Sequence, residues 1–294
     1  MTRSGLVALA GRPNVGKSTL VNAIVGEKVA IVSDKPQTTR RAIRGAATGE
    51  DWQLVIVDLP GVQRPRDALT ERMQRRVERE LEDADAALVV LNGEQGVGGP
   101  GDRFIAGALE GASVPVVVAV NKADRLDRAR TVKALSTAAE LFGDAEVFPI
   151  SARTGAGVGP LVAHLVSLMP EGPFYFPPEQ HSDVPLGVDL AELVREQVLA
   201  RARQEVPHAV EVEVEEVERP REGLVVVRAR IWVETDSQKG ILIGAGGRMI
   251  KAVGIAARRA MEARLGTRVH LDLSVRVRRR WRADDALLDR LGID

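Results

Sequence analysis

The chain contains no cysteine, which excludes disulfides, thiol nucleophiles and cysteine-ligated zinc or iron–sulfur centres. Aromatic residues are scarce, at 3% of the chain. Only Trp232 and Trp281 fall after Leu186, too few for an aromatic platform on which bases could stack. Long apolar runs are missing as well: stretches such as Val114 to Val120 fall far short of the ~20 residues a membrane helix needs. The N-terminus carries one early arginine and a strand pattern, not the features of a secretory leader, and a cytosolic location is expected. Net charge is absent too, with 41 Lys and Arg against 41 Asp and Glu, so the total charge points to no class of partner.

What is present is a 294-residue chain, 45% hydrophobic, long enough for about two domains of roughly 150 residues, each with its own core. Up to about residue 170, apolar runs of strand length (Leu6 to Ala10, Leu54 to Val57, Ala86 to Leu91, Val114 to Val120) alternate with helical patterns at Lys17 to Val25, Thr70 to Leu81, Asp102 to Leu109 and Arg128 to Leu141. This order predicts a mainly parallel sheet covered by helices on both faces. Met169 to Pro185 then holds five prolines and the aromatic run Phe174, Tyr175, Phe176, a linker pattern that packs against something. Beyond it the pattern becomes helix (Val188 to Gln204), strand (His208 to Val217), strand (Val225 to Glu234), helix, Gly-rich loop, helix (Met249 to Leu265) and strand (Val269 to Val277). The acidic run Glu211 to Glu218 reads as a solvated strand face. Arg72, Arg75, Arg76 and Arg79, interspersed with Glu, read as a salt-bridged helix surface. His164, His181, His208 and His270 lack metal-ligand spacing and read as structural. The zero net charge hides an uneven distribution: Lys239 to Arg282 holds twelve basic and two acidic residues, net +10, a footprint that suits nucleic acid.

Gly11-Arg12-Pro13-Asn14-Val15-Gly16-Lys17-Ser18 matches G-x-x-x-x-G-K-S between a strand and a helix. In that setting backbone N–H groups and the helix N-terminus cradle phosphates, Lys17 reaches the β- and γ-phosphates, and Ser18, followed by Thr19, can ligate Mg²⁺. The motif alone does not separate ATP from GTP. Asp58-Leu59-Pro60-Gly61 is a D-x-x-G at a strand end, with Asp58 near the metal and the Gly61 N–H near a γ-phosphate. Asn121-Lys122-Ala123-Asp124 is an N-K-x-D in which Asp124 can accept from the ring N–H and exocyclic amine of guanine, groups adenine does not offer. Ser151-Ala152-Arg153, after the next strand, supports the same base. Four such motifs in this order make a guanine-nucleotide domain.

On these residues the first half resembles translation-factor-related GTPases of the Ras-like fold. Ser33 to Arg40 resembles their first switch, with Thr39, or else Thr38, as the threonine that closes on Mg²⁺ and phosphate. Ras places a water-orienting glutamine just after D-x-x-G. Here that position is Val62, and the nearest glutamine, Gln63, comes one residue late. In relatives with an apolar residue there, a P-loop Asn helps hold K⁺. Asn14 matches it, so K⁺-assisted hydrolysis is implied, the plainer alternative being that Asn14 only shapes the turn. The catalytic set implied is Lys17, Thr39, Gly61 and Asn14; the metal set is Ser18, Thr39 and Asp58.

In the second half, Ile243-Gly244-Ala245-Gly246-Gly247-Arg248-Met249-Ile250 matches the I-G-x-x-G-x-x-I core of a KH module, which clamps the backbone of about four single-stranded nucleotides. The element order fits the type II form. KH loops usually carry Lys or Arg between the glycines; here Ala245 and Gly246 stand there, with Lys239, Arg248 and Lys251 nearby to supply charge. Arg276 to Arg282 is either a solvated edge or an extension of the RNA surface. A GTPase domain (1–170), a Pro-rich linker (171–186), a KH domain (187–283) and a short C-terminal tail (284–294) together resemble the Era family of bacterial GTPases. That resemblance implies an α/β P-loop GTPase fold with an α+β type II KH domain and Mg²⁺-dependent hydrolysis of GTP to GDP. It also implies a monomer that binds the 3′ end of 16S rRNA, assists maturation of the small (30S) ribosomal subunit and has a peripheral membrane contact through a basic surface. The alternatives left open are a GTPase acting on another RNA, and a switch whose KH module docks on protein.

Overall fold

The apolar runs of the first half become strands with almost no exposed side chains, because each is covered on both faces. In the computed structural model, which describes residues 2–35, 37–61, 67–202 and 206–293, the elements run β1 (Arg3–Ala10), α1 (Lys17–Val25), β2 (Ile43–Thr48), β3 (Trp52–Asp58), α2 (Ala68–Glu82), β4 (Ala86–Asn92), α3 (Pro100–Leu109), β5 (Val116–Asn121), α4 (Arg128–Phe142), β6 (Glu146–Pro149) and α5 (Val158–Leu168). The sheet order is β2-β3-β1-β4-β5-β6. All pairings are parallel except β2 with β3. Two apolar layers flank the sheet. One packs Leu20, Leu161 and Leu165 on Leu54, Ile56 and Leu88; the other packs Ile105, Leu109, Ala134 and Ala138 on Val89, Leu91, Val118 and Val120. Parallel order places every strand-to-helix loop of β1, β3 and β5 at the same sheet edge, where such folds bind ligands.

Three elements here are not among the apolar runs and helical patterns given above. β2 reads Ile-Arg-Gly-Ala-Ala-Thr, with small residues in place of an alternation, and owes its conformation to antiparallel pairing with β3. β6 has four residues, and α5 is apolar on most sides. β5 begins two residues later than the Val114 to Val120 run suggests. Pro115 has no N–H to give a ladder; its carbonyl instead accepts from Ala87 N at 2.9 Å.

The Pro-rich segment is pinned along the β2–β3 side of this sheet. Glu171 bridges to Arg3 and Ser182 to Gly45. Gln53, fully buried, donates to the Phe176 carbonyl at 2.9 Å and accepts from the Phe176 N–H at 3.0 Å. The strap covers an edge strand that would otherwise offer unpaired backbone.

The second compact unit is formed mainly by the chain from Val184 onward. Its elements are α6 (Leu186–Arg201), a single turn α7 (Val206–Ala209), β7 (Glu211–Arg221), β8 (Leu224–Val233), α8 (Asp236–Ile243), α9 (Arg248–Leu265), β9 (Arg268–Val277) and α10 (Asp285–Arg290). The sheet is β7-β8-β9, antiparallel then parallel. α6 and α9 cover one face, burying Leu190, Val194, Val198, Val253, Ala257 and Met261.

Several expectations are corrected here. The strand expected from His208 starts at Glu211, because His208 and Ala209 close the α7 turn, which has Pro207 in its first turn, where proline is tolerated. The helix expected to reach Gln204 ends at Arg201, and 203–205 lie outside the described residues. Glu211 is not on a solvated face: it is fully buried with Glu192 and Arg195. Arg195 donates to both Glu192 oxygens, at 3.1 and 2.6 Å, and lies 3.9 Å from Glu211. Within the segment expected as a tail, 284–294, Asp285–Arg290 form α10, and Leu287, Leu288, Leu291 and Ile293 are buried.

Candidate functional site

β1 ends in the phosphate loop. Gly16, at φ 102°, caps α1, and a Cβ there would lie 2.4 Å from the Asn121 amide nitrogen, so only glycine fits. That amide donates to the Val15 carbonyl at 2.8 Å, which ties the loop to β5. Lys17 Nζ donates to the Gly11 and Arg12 carbonyls at 3.1 and 3.3 Å. Burial holds this ammonium below lysine's ordinary pKa, with the charge of Asp58 acting against the shift. A buried cation held by neutral carbonyls is an anion site. Arg12, predicted with the GTP set, turns its guanidinium to the buried Asp102 at 2.7 Å and anchors the start of α3. Its carbonyl, not its side chain, serves the loop.

Beneath the loop three oxygens meet. Ser18 Oγ donates to Asp58 Oδ2 at 2.6 Å, Thr39 Oγ1 donates to the same oxygen at 3.0 Å, and the two hydroxyls are 3.1 Å apart. Thr39, the first of the two candidate switch threonines, belongs to this cluster. One carboxylate and two hydroxyls form a hard donor set that fits Mg²⁺, an ion that keeps most of its shell for water and phosphate oxygens. Among the described residues no group of three His, Asp or Glu could hold a metal. Leu59 and Pro60 are buried. Gly61 lies against the loop so closely that a Cβ would stand 2.8 Å from Pro13 Cγ. Val62 lies outside the described residues.

The base pocket has a cavity of about 230 Å³. Asn121 organises it: its Oδ1 accepts from Lys122 N at 2.8 Å and Ala152 N at 2.9 Å, while Ala123 N donates to the Ile150 carbonyl at 3.0 Å. Asp124 is held below the usual carboxylate range by hydrogen bonds from Ser151 and then Arg153, the latter at 2.7 Å. It is therefore an ionised acceptor facing the cavity. Three contributions were not foreseen. Val32 lines the pocket while 43% exposed, an apolar face open to a flat base. Arg153 steers Asp124. Glu94 holds Arg125 at 2.7 Å and Lys122 at 3.6 Å. A loop valine carries no sequence signal; Glu94 carries none because its partners are 28 and 31 residues away in the chain.

In the second unit Gly244, Gly246 and Gly247 all have positive φ (70°, 61° and 78°), so the loop turns sharply into the N-terminus of α9. A Cβ on Gly244 would lie 2.7 Å from that of Met249. Ala245 and Gly246 are exposed, Arg248 Nε donates back to the Ala245 carbonyl at 3.2 Å, and Lys251 is exposed. Lys239 and Ile243 sit on α8 with partial exposure. Beside the loop, α9 and β9 enclose a groove of about 410 Å³, with Ile250, Gly254 and Ile255 facing Leu271 and Leu273. Lys251, Arg258 and His270 also line it, so His270, expected to be structural, belongs to this surface. Within the basic run after Val275, Arg278 pairs with Asp284 and Arg282 with Glu234, while Arg276, Arg279 and Arg280 are exposed. Trp281 is buried and donates to the Ala209 carbonyl at 2.8 Å.

Two family patterns match the sequence: a 50S ribosome-binding GTPase over residues 6–122 and a KH domain over 205–282. GTPase Era of Mycobacterium tuberculosis strain H37Rv is 45% identical over 296 residues, covering 98% of each chain. GTPase Era of Lactobacillus helveticus is 42% identical over 292 residues, covering 99% of this chain and 96% of that one. Among solved structures, Era in complex with MgGDPNP and nucleotides 1506–1542 of 16S ribosomal RNA superposes with a TM-score of 0.94 at 32% identity, over 100% of this chain and 99% of that one. An Aquifex aeolicus Era variant bound to GDP·AlF4⁻ gives the same score and identity over 99% of both chains. Matched in both halves by family patterns and over its whole length by these relatives, the chain belongs to the GTPase Era family.

Proposed function

We propose that this protein binds GTP, hydrolyses it to GDP and phosphate, and binds the single-stranded 3′ end of 16S rRNA through its KH domain, assisting maturation of the 30S subunit. The observation that carries the reading is the meeting of separate chain segments at one sheet edge. Lys17, the Ser18–Thr39–Asp58 oxygen cluster and the Asn121–Asp124–Ala152 pocket are drawn together there by hydrogen bonds that cross the sequence. The functional division runs 1–170 for GTP, 171–186 for the linker, 187–283 for RNA and 284–294 for the terminal segment.

In this reading Asp124 selects guanine, Ser151 and Ala152 support the same base, and residues Gly11 to Thr19 wrap the phosphates. Lys17 neutralises charge on the β- and γ-phosphates as the bond between them breaks. The Gly61 N–H donates to the γ-phosphate, and attack by water ends in release of phosphate. Ser18, Thr39 and Asp58 would hold Mg²⁺, which when bound neutralises phosphate charge. Asn14, in left-handed backbone at φ 63°, offers a neutral amide oxygen, the donor type that suits K⁺ beside the phosphates. Turnover on the order of 10⁻⁴ to 10⁻² per second is expected, as for switch GTPases. The residues offered to RNA are Lys239, Ile243, Gly244 to Arg248 and Lys251, with the α9–β9 groove beside them.

Single-turnover hydrolysis of GTP and ATP, with and without Mg²⁺ and with K⁺ exchanged for Na⁺, tests the first half of the reading. Depletion in cells tests the second: unprocessed 16S precursor and loss of 30S particles are expected. Normal 16S processing on depletion would refute the ribosomal assignment.

A further inference from the structure

Between α2 and α3 the first unit has a cavity of about 290 Å³ whose lining includes none of the residues assigned above to GTP or RNA. Its inner surface is apolar: Val77 and Leu81 of α2, Ile105 and Leu109 of α3, and Val114. At its mouth α2 presents Glu78 and Glu82, both exposed. These two recur with Val77 and Leu81 at helical spacing, so apolar and acidic groups run along one side of the helix. Other carboxylates on α2 are neutralised: Glu71 by Arg75 at 3.3 Å, and Glu80 by Arg76 at 2.7 Å and Arg44 at 3.3 Å. Among the described residues Glu78 is bonded to the neutral Gln74 amide, at 3.0 Å, and to no cation. Among the described residues no Lys or Arg lines the cavity. The volume sits at the lower limit of small-molecule pockets, which run from roughly 300 to 1,000 Å³, and suits one or two apolar side chains.

We propose that this groove docks a cationic amphipathic segment of a partner protein. An apolar side chain enters between Val77, Leu81, Ile105 and Leu109, and flanking Lys or Arg side chains pair with Glu78 and Glu82. Charge complementarity selects this occupant, since Glu78 and Glu82, with no Lys or Arg among the described lining residues, disfavour nucleic acid and acidic peptides there. The helix-in-groove mode supplies the contact.

The test uses the full chain and a labelled helical peptide of Leu and Lys residues, with a Leu and Glu peptide as control. Binding is followed by anisotropy and by methyl NMR of Val77, Leu81, Ile105 and Leu109. The cationic peptide is expected to shift these methyls and the acidic one to leave them unmoved. The double variant E78K/E82K should weaken binding roughly fivefold through two exposed ion pairs. Ala108→Phe, at an exposed α3 position lining the groove, should abolish the methyl shifts; unchanged thermal melting shows that both variants fold. Equal binding of the two peptides, still methyls, or cationic binding indifferent to both variants would overturn the proposal. Measurements with and without GDP keep the outcome separate from the nucleotide reading.

Discussion

The protein carries two glycine-rich loops that open helices, and they differ in what surrounds them. In Gly11 to Ser18 the loop is enclosed: Lys17 is buried, Asn121 ties the loop to β5, and an oxygen cluster lies beneath it. In Gly244 to Gly247 the glycines again take positive φ, but Ala245 and Gly246 are exposed and the nearby cations, Arg248 and Lys251, lie in solvent. The same local geometry, N–H groups at a helix N-terminus, thus serves two ends. An enclosed loop with a buried cation and a metal-type donor set is built for one highly charged phosphate group. An open loop beside a long groove suits a backbone of repeating single charges, with selectivity left to the groove. Burial of the cation, not the presence of glycine, separates the two.

That contrast can be broken from either side. Lys17→Ala should slow hydrolysis about 10²- to 10³-fold, the scale for removal of a group that stabilises developing charge, and single-turnover kinetics measure it. The fold should not suffer, since a buried ammonium is a cost to stability. Asp124→Asn should weaken GTP on the order of 10²-fold and favour xanthosine triphosphate, because the acceptors that read guanine are altered; competition binding checks this. Gly246→Asp should weaken RNA binding about tenfold by like-charge repulsion at an open loop and leave GTP hydrolysis unchanged. Arg248→Ala and Lys251→Ala should each reduce the slope of log affinity against log salt by about 0.7, as expected for one contact to single-stranded phosphate.

The smallest effect is one of pH. Ser151 and Arg153 lower the pKa of Asp124, so its charge, and the discrimination of GTP from ATP, should persist as pH falls through the ordinary carboxylate value and fail only below it. Arg153→Ala should move that failure to higher pH. A pH series of competition binding reads both.

Most of the first unit was legible because its chemistry sits in contiguous motifs at strand ends. The phosphate loop, Asp58 to Gly61 and Asn121 to Asp124 each declare themselves within a few residues. What stayed hidden depends on distant pairing: β2 exists through β3, the Gln53 grip on Phe176 spans 123 residues, and Glu94 acts on a loop from the next strand. In the second unit the loop was legible and the groove was not, because β9 supplies the groove's second wall and nothing in its alternation marks His270, Leu271 and Leu273 as lining a groove. Glu211 shows the limit of period-two reading. The alternation of Val and Glu was correct as a strand, but the first carboxylate faces a buried arginine on α6.

The most direct test of the account is binding of a short RNA copied from the 3′ end of 16S rRNA, beside a scrambled RNA, with GTP analogue and with GDP, over a range of salt. Preference for the natural sequence that survives moderate salt and differs between the two nucleotide states is expected. Equal, weak and steeply salt-dependent binding of both RNAs would reduce the KH surface to a basic patch and contradict it.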